Sequence, residues 1–279
     1  KKKVKMKNKS NSTFLGYAAG IFIPLTLFMA QTVSAATNEE LAKKLSNPIA
    51  SLVSIPIQLN YDSDIGQNDN GDRYQLNIQP VIPISLNNDW NIISRTILPV
   101  VSQDEIFSGA GSQSGLGDIV QSVFISPTQP TASGWIWGAG PVLSLPTATD
   151  DLLGSDKWGL GPTAVVLKQT GPWTYGALAN HIWSVAGDND RQNISTTFLQ
   201  PFLSYTTKEA VTFALNTESA YDWKSEQWTV PINFTATKVT KIGDQLVSLG
   251  GGLRYWAETT DGSPEGLGVR LIFTLLLPK

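Results

Sequence analysis

Every second residue from Val53 to Tyr61 is apolar: Val53, Ile55, Ile57, Leu59 and Tyr61 alternate with Ser54, Pro56, Gln58 and Asn60. A period of two puts the two sets on opposite faces of an extended strand, one greasy and one wet. The pattern returns from Arg73 to Ile84, with Tyr74, Leu76, Ile78, Pro80, Ile82 and Ile84 set against Arg73, Gln75, Asn77 and Gln79. It recurs from Leu267 to Leu277 and from Trp228 to Ala236, and it is weak from Trp158 to Val185, where the register stays open. Between these segments the spacing predicts strands over 90–100, 115–126, 134–145, 158–169, 173–185, 195–205, 211–220 and 245–256, with 227–236 completing the set. Twelve strands follow.

Connection lengths choose between a soluble sandwich and a membrane barrel, because a barrel carries short turns at one end and longer loops at the other. The polar stretches 62–72, 102–114, 146–157, 187–193, 221–226 and 257–265 alternate with the shorter 86–89, 127–133, 170–172, 206–210 and 237–244. Six of one kind and five of the other put both ends of a twelve-stranded chain in the periplasm. Aromatic placement agrees, since amphipathic rings gather at the two membrane interfaces. Trp90, Trp135 and Trp173 follow short turns; Tyr61, Tyr74, Trp158, Trp183, Tyr221, Trp223, Trp228 and Trp256 border long loops. The bland alternative makes these rings ordinary sandwich core, but a sandwich has no need of alternating loop lengths. The expectation is an all-β, closed antiparallel transmembrane barrel, in which no backbone group is left unpaired in hydrocarbon.

Six lysines lie among the first nine residues, an apolar run from Ala18 to Ala30 follows, and Val33-Ser34-Ala35 supplies small residues at a cleavage site. This is the pattern of a secretory signal peptide over 1–35, too short in its apolar part for a spanning helix. Nothing later approaches 18 consecutive apolar residues. Cleavage would leave about 244 residues carrying a net charge of about −9, which disfavours nucleic acid as a partner. The absence of cysteine and the single His181 leave no thiolate or zinc site, so neither metal nor cofactor is expected. The segment 36–50 is predicted to hold a short helix over 38–46, capped by Thr37 or Asn38, with Leu41 and Leu45 on one face and Pro48 after it. It would trail in the periplasm as a leader or, alternatively, fold into the barrel mouth as a plug. Residues 51–279 would form the barrel.

The run Leu41-Ala42-Lys43-Lys44-Leu45-Ser46-Asn47-Pro48-Ile49-Ala50-Ser51-Leu52, with Asn77-Ile78-Gln79-Pro80-Val81-Ile82-Pro83, Gly115-Leu116-Gly117-Asp118-Ile119, Leu145-Pro146-Thr147-Ala148-Thr149-Asp150, Gly171-Pro172-Trp173-Thr174 and Leu199-Gln200-Pro201-Phe202, resembles a bacterial outer-membrane family. That family is labelled phenol-degradation meta-pathway protein or transporter, and is mislabelled neuromedin U. The resemblance spans nearly the whole chain after residue 35. It implies a porin-like barrel of the Gram-negative outer membrane, with lipids and the assembly machinery as partners and a small solute, hydrophobic or aromatic in keeping with the label, as cargo. The closing Leu277-Pro278-Lys279 departs from the aromatic ending that many barrels offer that machinery.

If the apolar faces meet lipid, the strand periodicity assigns Arg73, Arg95, Glu218, Arg254 and Arg270 to the lumen, and Asp118 with them. They would set selectivity by charge at close quarters, or merely pair to stiffen a filled interior. The expected activity is passive diffusion of small solutes through the lumen. Two other classes compete: a structural or surface-interaction barrel whose lumen is shut, and a phospholipase-like enzyme. The enzyme needs a nucleophile beside a base. Ser184 lies three residues from His181 and so on the opposite face, which makes His181 an interfacial residue and leaves no catalytic constellation. Gly159-Leu160-Gly161 has no following helix to hold a phosphate.

Overall fold

The computed structural model describes residues 36–260 and 263–277; the expected signal peptide lies outside the described residues. The chain forms twelve strands: β1 (Val53–Ile65), β2 (Gly71–Ile78 and Val81–Ser85), β3 (Trp90–Asp104), β4 (Ser112–Leu116 and Ile119–Pro127), β5 (Trp135–Leu145), β6 (Lys157–Thr170), β7 (Trp173–Gly187), β8 (Ser195–Thr206), β9 (Val211–Thr217 and Ser219–Asp222), β10 (Gln227–Ile242), β11 (Gln245–Glu258) and β12 (Gly266–Leu277). Each pairs antiparallel with its neighbours in sequence, and β12 pairs β1 from Val53↔Leu277 to Tyr61↔Val269. The sheet is therefore a closed barrel with no free edge.

Three strands are interrupted. Pro80 has no N–H to give the ladder, so β2 breaks there, while Gln79 N–H still donates to Pro56 O at 2.8 Å. β4 breaks at Gly117-Asp118 and β9 at Glu218. Several strands also outrun the alternation that revealed them. β1 continues to Ile65, β3 to Asp104 and β10 to Ile242, with pairs such as Asp72↔Asp104 inside stretches expected to be loop. Backbone pairing is indifferent to side-chain polarity once the strand leaves apolar surroundings. At the opposite end the connection between β10 and β11 shrinks to residues 243–244, where Gly243 takes the left-handed φ of +60°.

The two faces separate as the period requires. Leu267 and Leu271 on β12 are 63% and 57% exposed on the outer wall, whereas Arg270 between them and its partner Asn60 are 2% and 1% exposed. Outside lies hydrocarbon-like surface; inside lies most of the polarity.

The helix α1 (Asn38–Leu45) opens with a full capping box, Thr37 accepting from Glu40 N–H and Glu40 reaching back to Thr37 N–H. The leader arrangement is not what forms. Leu41 and Ala42 are buried with Ala50, Leu52, Ala210, Val239 and Leu276, and Leu45 packs against them, so α1 sits in the short-turn mouth of the barrel. The reason is apolar matching: strands β10 and β12 end in the inward Val239 and Leu276, and burying a leucine contributes on the order of 2 kcal/mol. Gln169 of β6 donates at 2.8 Å to the Lys43 carbonyl, which also accepts from Ser46 N–H at 3.2 Å, fixing the end of the helix. Beyond Pro48, Ile49 enters a second inner cluster with Val81, Ile93, Phe124, Val165, Leu167 and Leu178. A Cβ on Gly138 would stand 3.2 Å from Ile49 Cδ1, so the glycine forms the notch that seats Ile49.

Candidate functional site

Inward-facing groups of five strands meet in the lumen toward the long-loop end. Arg270 lies beside Asn60 on β1 and Gly252 on β11; Arg254 lies beside Asn233 on β10 and Gly268 on β12. The glycines leave room for the long guanidinium groups and their partners. A Cβ on Gly268 would approach Asp62 Oδ1 to 2.5 Å.

The centre of the cluster is Glu218, which stands in the break of β9 and is thereby free of the ladder. Arg270 grips it with a two-pronged fork, Nη1 to Oε1 at 3.0 Å and Nη2 to Oε2 at 2.8 Å, while its Nε donates to Asn60 Oδ1 at 2.7 Å. Arg254 reaches Glu218 Oε2 and Asp62 Oδ2, each at 3.0 Å, and donates through Nε to Asn233 Oδ1 at 3.2 Å. Two guanidinium groups thus face two carboxylates, each with further neutral partners, which is what burial of charge demands.

Asp62 was the residue that sequence reasoning missed, because it begins a polar stretch assigned to a loop. The signal was present: it continues the even-numbered series Ser54, Pro56, Gln58, Asn60 by one more step. Trp256 requires a correction. It was expected in the interfacial girdle, but its indole N–H donates to Asp62 Oδ1 at 2.9 Å, and the Arg254 guanidinium stacks over its ring at 4.8 Å. Its neighbour Tyr255 takes the outward place, 51% exposed.

The other lumen candidates are not drawn into this cluster. Arg73 donates to Gln103 Oε1 at 2.9 Å, and Arg95, farther toward the short-turn end, donates to Gln79 Oε1 at 3.3 Å. Asp118, also expected among the lumen charges, is taken up by backbone and hydroxyl donors. Its two oxygens accept from Ala148 N–H at 3.3 Å and from Ser155 N–H and Oγ, both at 2.7 Å, so it ties down the connection 146–156. Between α1 and the ion cluster lies a cavity of about 260 Å³, whose wall includes Arg95, Gln79, Gln200, Asn216 and Phe202.

The outer wall carries aromatic pairs at both ends. At the short-turn end Trp90 meets Trp137 and Trp135 meets Tyr175 edge-on at 6.0 Å, and Trp173 meets Tyr205 at 4.9 Å. At the long-loop end Tyr61 meets Tyr74 at 4.7 Å, Tyr221 meets Trp228 at 4.9 Å, and the exposed Trp183 packs on His181 at 4.1 Å; Trp158 is also exposed. His181 holds Thr197 Oγ1 at 2.7 Å through Nδ1, and Trp223 Nε1 donates to the same hydroxyl. Ser184 bonds instead to Asn193 and Ile194. Among the described residues no carboxylate bonds to His181, and Ser195 Oγ stands 3.5 Å from its Nε2. These bonds place His181 among the aromatic side chains of the outer girdle, between Trp183 and Trp223.

Neither a family model nor a curated protein matches the sequence. Solved structures do match its shape. An outer membrane channel from Pseudomonas putida F1 superposes with a TM-score of 0.64 at 16% identity, over 81% of this chain and 96% of that one. The outer membrane phospholipases A of Escherichia coli (TM-score 0.48, 10% identity, 88% of this chain and 99% of that one) and Salmonella typhi (0.49, 11%, 88% and 99%) are more distant, and carry no argument about chemistry. The fold is accordingly that of a twelve-stranded outer-membrane β-barrel.

Proposed function

We propose that this chain is a channel of the bacterial outer membrane, exported by its N-terminal segment, that lets small solutes diffuse through the barrel lumen. The observation that carries the reading is the lumen itself: a polar wall runs from the Arg254–Glu218–Arg270 cluster to a cavity bordered by Arg95. A barrel that served only as a scaffold would gain by filling that space with close-packed apolar side chains. The likeness to a solved channel supports the same reading. Hydrophobic or aromatic cargo, the class implied by the family resemblance, would meet Phe202 in the cavity and, once Ile49 withdraws, Phe124 and Leu178 beneath it. The short-turn mouth then faces the periplasm, and α1 with residues 46–52 is the part of the path that must yield.

A second reading rests on that same segment. With α1 and Ile49 both packed into inner clusters, the lumen could be permanently shut and the barrel structural. Planar-bilayer recording of the full chain and of a variant lacking residues 37–47 separates the two. A channel gives conductance steps that grow several-fold on deletion. Silence from both proteins, each shown folded by heat-modifiability on gels, overturns the channel in favour of the closed barrel.

A further inference from the structure

We infer that the central cavity is a binding subsite for a small organic acid, its carboxylate held by Arg95 and its short apolar body lying against Leu52, Val81 and Phe202. The inference rests on the channel reading for its meaning, since it names the class of solute the lumen would select.

The charge balance of the lumen points to the anion. The ion cluster is internally matched, Arg254 and Arg270 against Asp62 and Glu218. Arg95, like Arg73, stands outside it: among the described residues no carboxylate lies within 4.0 Å of either guanidinium, and their side-chain partners are the neutral amides of Gln79 and Gln103, but of the two only Arg95 borders the cavity. A guanidinium presents five N–H donors in a planar fork that matches a carboxylate two-to-two. Only one of these is engaged by a side chain, and the group borders the cavity. A cation so placed in the interior of a barrel is costly without a counter-charge, and a bound acid supplies one.

The rest of the wall limits what the acid can be. Leu52, Val81 and Phe202 line the same cavity, while Ser54, Gln200 and Asn216 add a few neutral hydrogen-bonding groups. One cationic end and one greasy side suit an amphipathic monoanion better than a sugar or a cation. The volume of about 260 Å³ falls below the roughly 300–1,000 Å³ typical of sites for drug-sized molecules, which sets the size at a short acid. Because Ala50 and Leu52 also face this space, the acid would touch the mouth segment and the barrel together.

The test is equilibrium binding to the purified full chain in detergent micelles, with butyrate as probe and butyramide as its uncharged isostere, read by saturation-transfer NMR. Butyrate should bind saturably and butyramide at least about tenfold more weakly, the ratio expected when a charge-assisted pair is lost. Arg95→Gln should weaken butyrate by about tenfold, and Arg95→Lys, which keeps the charge but not the fork, should restore only part of that loss. Ala214 of β9 also lines the cavity, so Ala214→Phe, which fills it without touching the charge, should abolish the signal. Equal binding of acid and amide, or butyrate binding unchanged in both Arg95→Gln and Ala214→Phe, overturns the subsite. Since no flux is measured, a protein that binds butyrate yet never conducts would overturn the channel and leave the subsite standing. A protein that conducts without binding butyrate overturns the subsite alone.

Discussion

The two sides of the lumen solve the problem of a filled interior by different means. The wall made by β9 to β12 with β1 is polar, and its long side chains are held by charge-assisted bonds to named partners. The wall made by β4 to β8 carries an apolar cluster, with Phe124, Val165, Leu167, Leu178 and Phe202 packed together. Directional bonds fix positions to a few tenths of an ångström and fail abruptly when one partner is lost. Dispersion contacts are individually weak and degrade by degrees. The mouth segment leans on both, α1 against Ala210, Val239 and Leu276 and Ile49 into the apolar cluster.

The sharpest break of this contrast is Glu218→Ala. It strands the buried Arg270 guanidinium and leaves Arg254 with Asp62 alone, and the expected cost is about 3–5 kcal/mol, seen as a lowered midpoint in guanidinium unfolding from micelles or as loss of the heat-modifiable band. A cost under about 1 kcal/mol would mean the polar wall is no more directional than the apolar one. Leu178→Ala on the opposite wall should cost about 2–4 kcal/mol, with the spread set by how far the cluster collapses into the vacated space. Its hallmark is graded behaviour: Leu178→Met should be nearly neutral, whereas Glu218→Gln should recover only part of the Glu218→Ala loss. The smallest effect belongs to Gly138→Ala, whose added methyl presses on Ile49. Stability should fall by about 1 kcal/mol or less, while trypsin cleavage after Lys43 or Lys44 accelerates because the segment is less firmly seated. Unchanged cleavage would show that α1 keeps its place without help from Ile49.

Much of the barrel could be read from residue order because a strand announces its faces locally. The run from Val53 to Tyr61 needs no partner to show which side is greasy, and several such runs, with connections of alternating length, point to a twelve-stranded closed sheet even though the alternation fades from Trp158 to Val185. The same counting assigned Arg254, Arg270 and Glu218 to the interior. What escaped was decided by neighbours distant in sequence. Asp62 looks like the start of a loop until Arg254 and Trp256 are seen beside it. Trp256 was placed by its nearness to a loop, although counting in twos from Leu253 and Tyr255 puts it inside. Nothing local says that Leu41 will meet Leu276 rather than water, since that contact exists only after the ring has formed.

The ion cluster straddles the seam where the first strand meets the last. The contacts Arg270 to Asn60 and Arg254 to Asp62 join residues 210 and 192 positions apart. Until β12 arrives, β1 has one raw border and nothing to tell it which of several offsets is right. A slip of one position would turn Arg270 toward acyl chains and strip Glu218 of its fork. The cluster therefore works as a keyed latch: only the correct offset brings every prong into its slot, so faithful closure of the ring is enforced by the side chains that line its bore.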